Sequence, residues 1–363
     1  MIGKTWGTMR TTHGACGVET RRDGDGADAD GRRAMALVVE YEMDETRGVR
    51  VGGARAYALE RRRGEGHEGS GGEVTVTELG RCGSETGTMD GIGAIFEARW
   101  SPRSGDFERC AFAGADGYVT VARVRETESG DGVEFSELGR VHVGGEGLGM
   151  ATCLDWRADG AMCASAADGS FRVMREDCSA IQVVETIENA HDLEMWAVSF
   201  DLSRQDVVYT GADDCALKVW DLRDVSRPQM VNRKTHGAGV TCVAPSPRDE
   251  HVVATGSYDD HVRLWDVRRI ASPVSELNVG GGAWRCRWHP HRDALACAAM
   301  GGGAALVDAK SNELELCFTY SEHESIVYGA DWVCFGDDSE ALLTCSFYDK
   351  TVKCWTLENV DKD

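Results

Sequence analysis

The 363-residue chain is poor in proline, with 6 against 44 glycines, and poor in positive charge, with 39 Lys and Arg against 61 Asp and Glu. The net charge of −22 repels an extended phosphate backbone, which excludes nucleic acid as the expected partner and favours a protein with a basic surface. No apolar run approaches the roughly 18 residues needed to span a bilayer, so no membrane contact is expected. The N-terminal MIGKTWGTMRTTHG also lacks the apolar core of a secretory signal. The 14 cysteines form no Cys-x-x-Cys pair and are scattered singly, as at Cys16, Cys82, Cys110, Cys153, Cys163 and Cys178. They read as reduced, mostly buried small side chains of a cytoplasmic protein, with the nucleus as the alternative compartment.

Enzymatic signatures are missing as well. There is no Gly-x-Ser-x-Gly elbow, no His-Glu-x-x-His and no phosphate loop ending in Gly-Lys-Ser/Thr. GGEGLGM at residues 144–150 follows no strand-to-helix pattern and reads as a loop. His289-Pro290-His291 sits where a strand should end in a turn, so it reads as a turn rather than a metal pair. No metal and no cofactor are expected.

What is present is a repeat. Short apolar segments, FEARW ending at Trp100, TCLDW at Trp156, WAVSF at Phe200, TCVAP at Pro245, WRCRW at Trp288 and YGADW at Trp332, recur at nearly constant spacing. That spacing is close to the roughly 40 to 45 residues of a four-stranded propeller blade. A second marker follows most of them: DGYVTVARV from Asp116, DGSFRVMRE from Asp168, DCALKVWDLR from Asp214, DDHVRLWDVRR from Asp259 and DKTVKCWTLE from Asp349. Alternation of apolar and polar residues through these segments is the period of half-buried strands, and nothing reads as a long amphipathic helix.

The expectation is an all-β, seven-bladed propeller forming a single domain over residues 1–363. Blades two to seven occupy about 90–358, and blade one lies at about 4–80 with KTWGT, HGACGVET, RRAMALVVEYEM and EVTVTELG as its strands. Inserts near 21–33 and 61–72 have the charge and low hydrophobicity of disordered loops. Little chain remains at either end to close the ring, so closure is expected to be irregular or the chain to start downstream of its natural start; the second is preferred.

From about residue 90 onward the chain resembles WD-repeat proteins through VWDLR and LWDVRR. In such repeats a His, a Ser, the turn Asp and the Trp form a buried hydrogen-bonded set, and His236, Ser257, Asp259 and Trp265 occupy those places. His191, Asp214 and Trp220 do so one blade earlier, with Ala212 replacing the Ser. The resemblance also aims the first residue of each inner strand at the channel mouth, namely Phe96, Thr152, Trp196, Thr241, Trp284 and Tyr328, together with the pre-turn residues Asp213, Tyr258 and Tyr348. Exposed aromatic rings beside a carboxylate suit a cation, above all a quaternary ammonium that donates no hydrogen bond. A packed protein-binding surface is the alternative.

AHDLEMW, VYTGADD, ATGSYDDHVRLWD, GGAWRCRWHPH, SIVYGADW, TCSFYDKTVKCW and the early ACGVETRRD resemble, more specifically, the diphthine methyl ester hydrolase family of diphthamide biosynthesis. The resemblance implies a carboxylic ester hydrolase that removes the methyl ester of methylated diphthine on translation elongation factor 2, with other diphthamide-pathway proteins as further partners. A non-catalytic scaffold is the competing reading. On the hydrolase reading, Trp196, Trp284, Tyr258, Tyr328 and Tyr348 form a cage and Asp213 or Glu194 assists the cation. His261 or His236 acts as base on water, and Arg285 is the oxyanion donor.

Overall fold

Among the described residues the period-2 segments fold into 28 strands, and the only helical turn there is the short 3-10 segment Lys310–Asn312. The computed structural model describes residues 2–11, 14–20, 33–46, 49–61, 73–83, 89, 92–102, 108–129, 131–145, 149–177, 180–335 and 340–358. Apart from Arg33 and Arg61, the two expected inserts lie outside the described residues.

The first strand, β1, spans Ile2–Arg10, and the rest of the chain supplies seven blades. These are β2 (Gly14–Thr20), β3 (Arg33–Asp44), β4 (Val49–Arg61) and β5 (Val74–Gly83); β6 (Ile95–Trp100), β7 (Arg109–Gly114), β8 (Tyr118–Glu126) and β9 (Val133–His142). Next come β10 (Ala151–Trp156), β11 (Ala161–Ala166), β12 (Phe171–Asp177) and β13 (Ala180–Ile187), then β14 (Met195–Phe200), β15 (Val207–Ala212), β16 (Leu217–Asp221) and β17 (Met230–Asn232). The ring continues through β18 (Val240–Pro245), β19 (Val252–Ser257), β20 (His261–Asp266) and β21 (Ser275–Asn278), and through β22 (Arg285–Trp288), β23 (Ala294–Ala298), β24 (Ala304–Asp308) and β25 (Glu315–Tyr320). The last sheet has three consecutive strands, β26 (Val327–Cys334), β27 (Glu340–Ser346) and β28 (Thr351–Glu358), and β1 is its fourth. Every pairing is between antiparallel neighbours, and the molecule is a seven-bladed β-propeller.

Closure is therefore regular, contrary to the expected difficulty. Thr5 pairs with Trp355 in the β1–β28 ladder, and the Thr5 hydroxyl lies 2.6 Å from the Tyr320 hydroxyl of the neighbouring blade. KTWGT belongs to the last blade and not to the first, whose missing strand is β4, VRVGGARAYALER. Ala and Gly have weak strand propensity, which is why β4 does not announce itself in the sequence.

Apolar side chains pack between blades as well as within them. One cluster joins Cys242 and Leu264 to Trp288 and Leu295 across a blade boundary, and another joins Leu306 and Tyr320 to Trp332 and Trp355. Leu59, Leu154 and Leu343 are fully buried, each contributing roughly 1.5–3 kcal/mol by leaving water. Large residues closing the inner strands also staple blades together: Trp288 Nε1 donates to the Ala244 carbonyl at 2.8 Å, and Trp332 Nε1 to that of Arg287 at 3.0 Å.

Candidate functional site

Six of the seven inner strands begin with a β-bulge, in β2, β6, β10, β14, β18 and β26. The residues skipped by the ladder in the last five of these are Phe96, Thr152, Trp196, Thr241 and Tyr328. A bulge re-aims the side chain of its extra residue, so one local irregularity repeated around the ring turns a column of residues toward one end of the channel. Trp284 immediately precedes the seventh inner strand, β22, and its N–H bonds to the Ala298 carbonyl.

At that end Trp284 is the hub of an aromatic cluster. Its ring centroid lies 5.5 Å from that of Trp196, 5.7 Å from Tyr258 and 5.3 Å from Tyr328, which it meets edge-on. The chain of rings continues from Tyr328 to Phe347 at 5.6 Å, from Phe347 to Tyr41 at 5.1 Å and from Tyr41 to Phe96 at 5.2 Å. Tyr348 branches from Phe347 at 4.9 Å and is 67% exposed. Tyr41 and Phe347 were not foreseen. Tyr41 ends an apolar run in β3, and Phe347 is an extra residue between Ser346 and the turn; that one-residue difference from the TGSYDD turn of β19–β20 was the available signal.

Asp213 stands beside these rings, half-buried. Burial pushes its carboxyl above the ordinary aspartate value, and the charge of Glu194 adds to the effect. The Trp196 indole N–H lies near enough to oppose that rise but falls short of a formed hydrogen bond. Glycine is required at 239, because a Cβ there would collide with Asp213 Oδ1 and crowd the Tyr258 ring. Burial and the neighbouring Asp213 charge raise the Tyr258 phenol as well, keeping it neutral. Glu194 is exposed, and its carbonyl accepts from the Asp213 N–H at 2.9 Å. The arrangement combines aromatic faces with negative charge and suits a cation whose shell is carbon.

Comparison with known proteins meets this geometry. The family described as "WD domain, G-beta repeat" matches residues 228–266 and 314–356. The chain is 31% identical over 229 residues to a diphthine methyltransferase homolog of Dictyostelium discoideum, covering 57% of this chain and 62% of that protein. It is 31% identical over 260 residues to the Homo sapiens diphthine methyltransferase, covering 66% and 56%. It is 28% identical over 276 residues to that of Schizosaccharomyces pombe, covering 72% and 78%. Over part of its length this chain is similar to proteins named diphthine methyltransferase, and two of its repeats match the WD domain. It spans less than two thirds of the length of the Dictyostelium and human relatives. A chain of the structure titled "Crystal Structure of Mitotic Checkpoint Complex" superposes with a TM-score of 0.67 over 98% of this chain and 95% of that one, at 16% identity, which speaks for the propeller alone.

Similarity to proteins named diphthine methyltransferase corrects the expected activity. The relatives are named for methyl transfer, the opposite sense to removal of a methyl ester, so the hydrolase class and the methyl ester hydrolysis expected from the sequence are overturned.

The residues proposed for water activation are placed elsewhere. His236 is buried, its Nε2 lies 3.0 Å from Thr255 Oγ1, and its Nδ1 has no hydrogen-bond partner among the described residues. Burial and the charge of Arg263 hold its imidazole down to about 4. His261 points Nδ1 at the Asp259 carbonyl, 2.6 Å away, and no ring contact joins it to the cluster among the described residues. Among the described residues, neither imidazole contacts a ring of the mouth cluster. Arg285 is not an oxyanion donor either. It is buried, Nε donates to Glu97 at 2.9 Å, and Nη1 donates to the carbonyls of Thr241 at 2.7 Å and Trp284 at 3.2 Å.

The structural set is also rearranged. Thr255, not Ser257, joins His236 to Trp265, whose Nε1 donates to Thr255 Oγ1 at 2.9 Å. Ser257 Oγ instead donates to the Ala238 carbonyl at 3.1 Å and accepts from the Asp259 N–H. In the preceding blade Thr210 does the same for His191 and Trp220, and His191 Nδ1 reaches Asp214 at 2.8 Å. Ala212 is therefore no defect, because the relay hydroxyl sits two residues earlier. Asp259 does not complete its own set, since Arg263 Nη1 takes its carboxylate at 2.9 Å. Its second task is the turn: the His261 N–H donates to Asp259 Oδ1 at 3.2 Å while Asp260 adopts a left-handed φ of 68°.

Below the mouth, Arg285, Glu97, Arg99, Glu19 and Arg287 form a buried ion network. Glu97 bonds Arg285 at 2.9 Å, Arg287 at 2.8 Å and Arg99 at 2.6 Å, and Glu19 bonds Arg99 and Arg287 at 2.9 Å. His289 has both nitrogens engaged, one with Glu340 at 2.7 Å and one with the His291 N–H at 3.0 Å, as its turn position requires.

Proposed function

We propose that the protein acts in diphthamide biosynthesis, in the methyl chemistry its relatives are named for, and that the channel mouth holds the trimethylammonium group of the diphthine side chain on translation elongation factor 2. The observation that carries the reading is the Trp284-centred cluster with Asp213 at its edge. A quaternary ammonium cannot donate a hydrogen bond, so it is held by ring faces, each worth roughly 0.5–2 kcal/mol according to how far the cation is desolvated. Arg285 lies over the Trp284 ring at 4.8 Å, and Glu97 neutralises it, so the ligand's charge meets Asp213 without a competing free cation. The chain's charge of −22 speeds the approach of a basic protein surface. On this reading the protein works in the cytoplasm.

The test is binding and mass. Elongation factor 2 carrying diphthine, and the same factor with the unmodified residue, are titrated against the protein by calorimetry, and the methyl count of the modified peptide is followed by mass spectrometry after incubation with a methyl donor. Tighter binding of the modified factor and a changed methyl count are expected. Equal binding of both forms with an unchanged mass would overturn the proposal.

A further inference from the structure

In the first blade, β3 has 12 residues and β4 has 13, whereas the second strands of the other six blades have 5 to 7. The surplus lies at the channel mouth. The β2 ladder ends at Gly14↔Tyr41 and the β5 ladder at Gly53↔Gly83. The pairs Glu42↔Val51, Met43↔Arg50 and Asp44↔Val49 therefore form a two-stranded ribbon with no flanking strand among the described residues. An isolated ribbon of this kind is at best marginally stable in water.

This ribbon is anchored at its base. The Tyr41 ring lies between Phe96 and Phe347, and Glu42 Oε2 accepts from Lys350 Nζ at 2.9 Å. Gly52 lets the next blade approach, since a Cβ there would meet Ala94 Cα at 3.1 Å. Residues two apart on a strand share a face, so Met43 continues the apolar surface that runs from Trp284 through Tyr328 and Phe347 to Tyr41. Met43 is 42% exposed on that face, and Val49, opposite Asp44 on the other face of the ribbon, is 47% exposed.

We infer that the β3–β4 ribbon is a docking lip for a folded protein that presents the cationic side chain to the mouth, so that the site is built for a protein-borne group and not for a free small molecule. The inference rests on the cation reading of the mouth. The occupant is a protein with a basic surface around the modified residue: Asp44 and Glu45 on the lip and Glu194 before β14 are acidic, in a chain of net charge −22 that outweighs Arg50 opposite Met43, and the Met43 face of the lip continues the cluster that takes the side chain. A free trimethylammonium compound reaches the rings without touching Met43 or Val49, whereas a folded carrier cannot insert a side chain without resting on the nearest raised edge.

The experiment compares two probes on three proteins. Nε-trimethyllysine and elongation factor 2 carrying diphthine are titrated against wild type, Met43→Arg and Val49→Arg. Both positions are exposed, so both variants are expected to fold, and circular dichroism melts verify it. Unchanged trimethyllysine affinity with a loss of about tenfold or more for the factor, a cost of about 1.4 kcal/mol, is expected for Met43→Arg, with a smaller loss for Val49→Arg. If both variants bind the factor as wild type does, the lip is not a docking surface. If wild type fails to bind trimethyllysine while the variants still weaken factor binding, the cation reading fails and the lip stands.

Discussion

The guanidinium carbon of Arg285 lies 4.8 Å from the centroid of Trp284, the residue next to it in the chain. The two side chains divide the labour at the top of the channel. Arg285 is fastened from below by Glu97 and by two backbone carbonyls, and it supports the ring around which Trp196, Tyr258 and Tyr328 gather.

Removing that support is expected to cost stability first. Arg285→Met leaves Glu97 with only Arg99 and Arg287, and breaking a buried ion pair by deleting one partner costs on the order of 3–5 kcal/mol. Urea unfolding measures the loss. A shift well under 1 kcal/mol would mean that the remaining arginines absorb the charge.

Trp284→Ala is expected to reduce trimethyllysine affinity at least tenfold, while Tyr348→Ala, at a 67% exposed position, reduces it by less than threefold; these follow from one desolvated and one exposed cation–ring contact. Calorimetry on both variants tests the order. Equal losses would place the cation at the rim instead of the hub.

Asp213 carries a pH dependence with two opposite consequences. Its carboxyl is raised above the ordinary value by burial, so the folded state prefers the protonated form. The native protein therefore loses stability as pH rises through this group, relative to an unperturbed aspartate. Cation binding needs the ionised form and is expected to weaken on acidification, with a midpoint above that of an ordinary aspartate. Asp213→Asn is expected to bind weakly at every pH and to be at least as stable as wild type near neutrality; a variant that keeps the wild-type pH profile would remove Asp213 from the site.

His236 and His323 titrate the fold itself. Burial is the largest cause holding each imidazole down to about 4, against 6.5 in an open chain. The folded state thus binds fewer protons than the unfolded one between those values. The stability these rings contribute is complete above about pH 6.5 and is lost as pH falls to 4, by a few kcal/mol per ring. Urea midpoints are expected to drop across that window, and His236→Gln should flatten part of the drop.

Much of the ring can be read from the chain because each blade advertises itself. The turn aspartates at 116, 168, 214, 259 and 349 all accept from the backbone N–H two residues on, a local device that needs no tertiary knowledge. The rim residues are legible for the same reason, since the bulge offset is constant from blade to blade. What depends on distant parts of the chain is hidden. Tyr41 joins the cluster only because β3 runs past the end of β2, and Thr255 and Ser257 lie on one strand face, so only the depth of His236 decides which hydroxyl it meets. The reassignment of KTWGT has the same origin: alternation defines a strand but not its partner.

Pairing β1 with β28 ties a strand made early to one made much later, and Thr5 bonds Tyr320 across 315 positions of sequence. During synthesis β1 must wait with a bare edge until β28 emerges, because no intervening strand takes its place in that sheet. The sheets from β2 to β25 are each built from four successive strands and can form in order as they appear. Joining the final sheet is a step of very high contact order, the kind that slows folding most. A chain held up before that step would present open strand edges at one place in the ring, where other chains could pair with it.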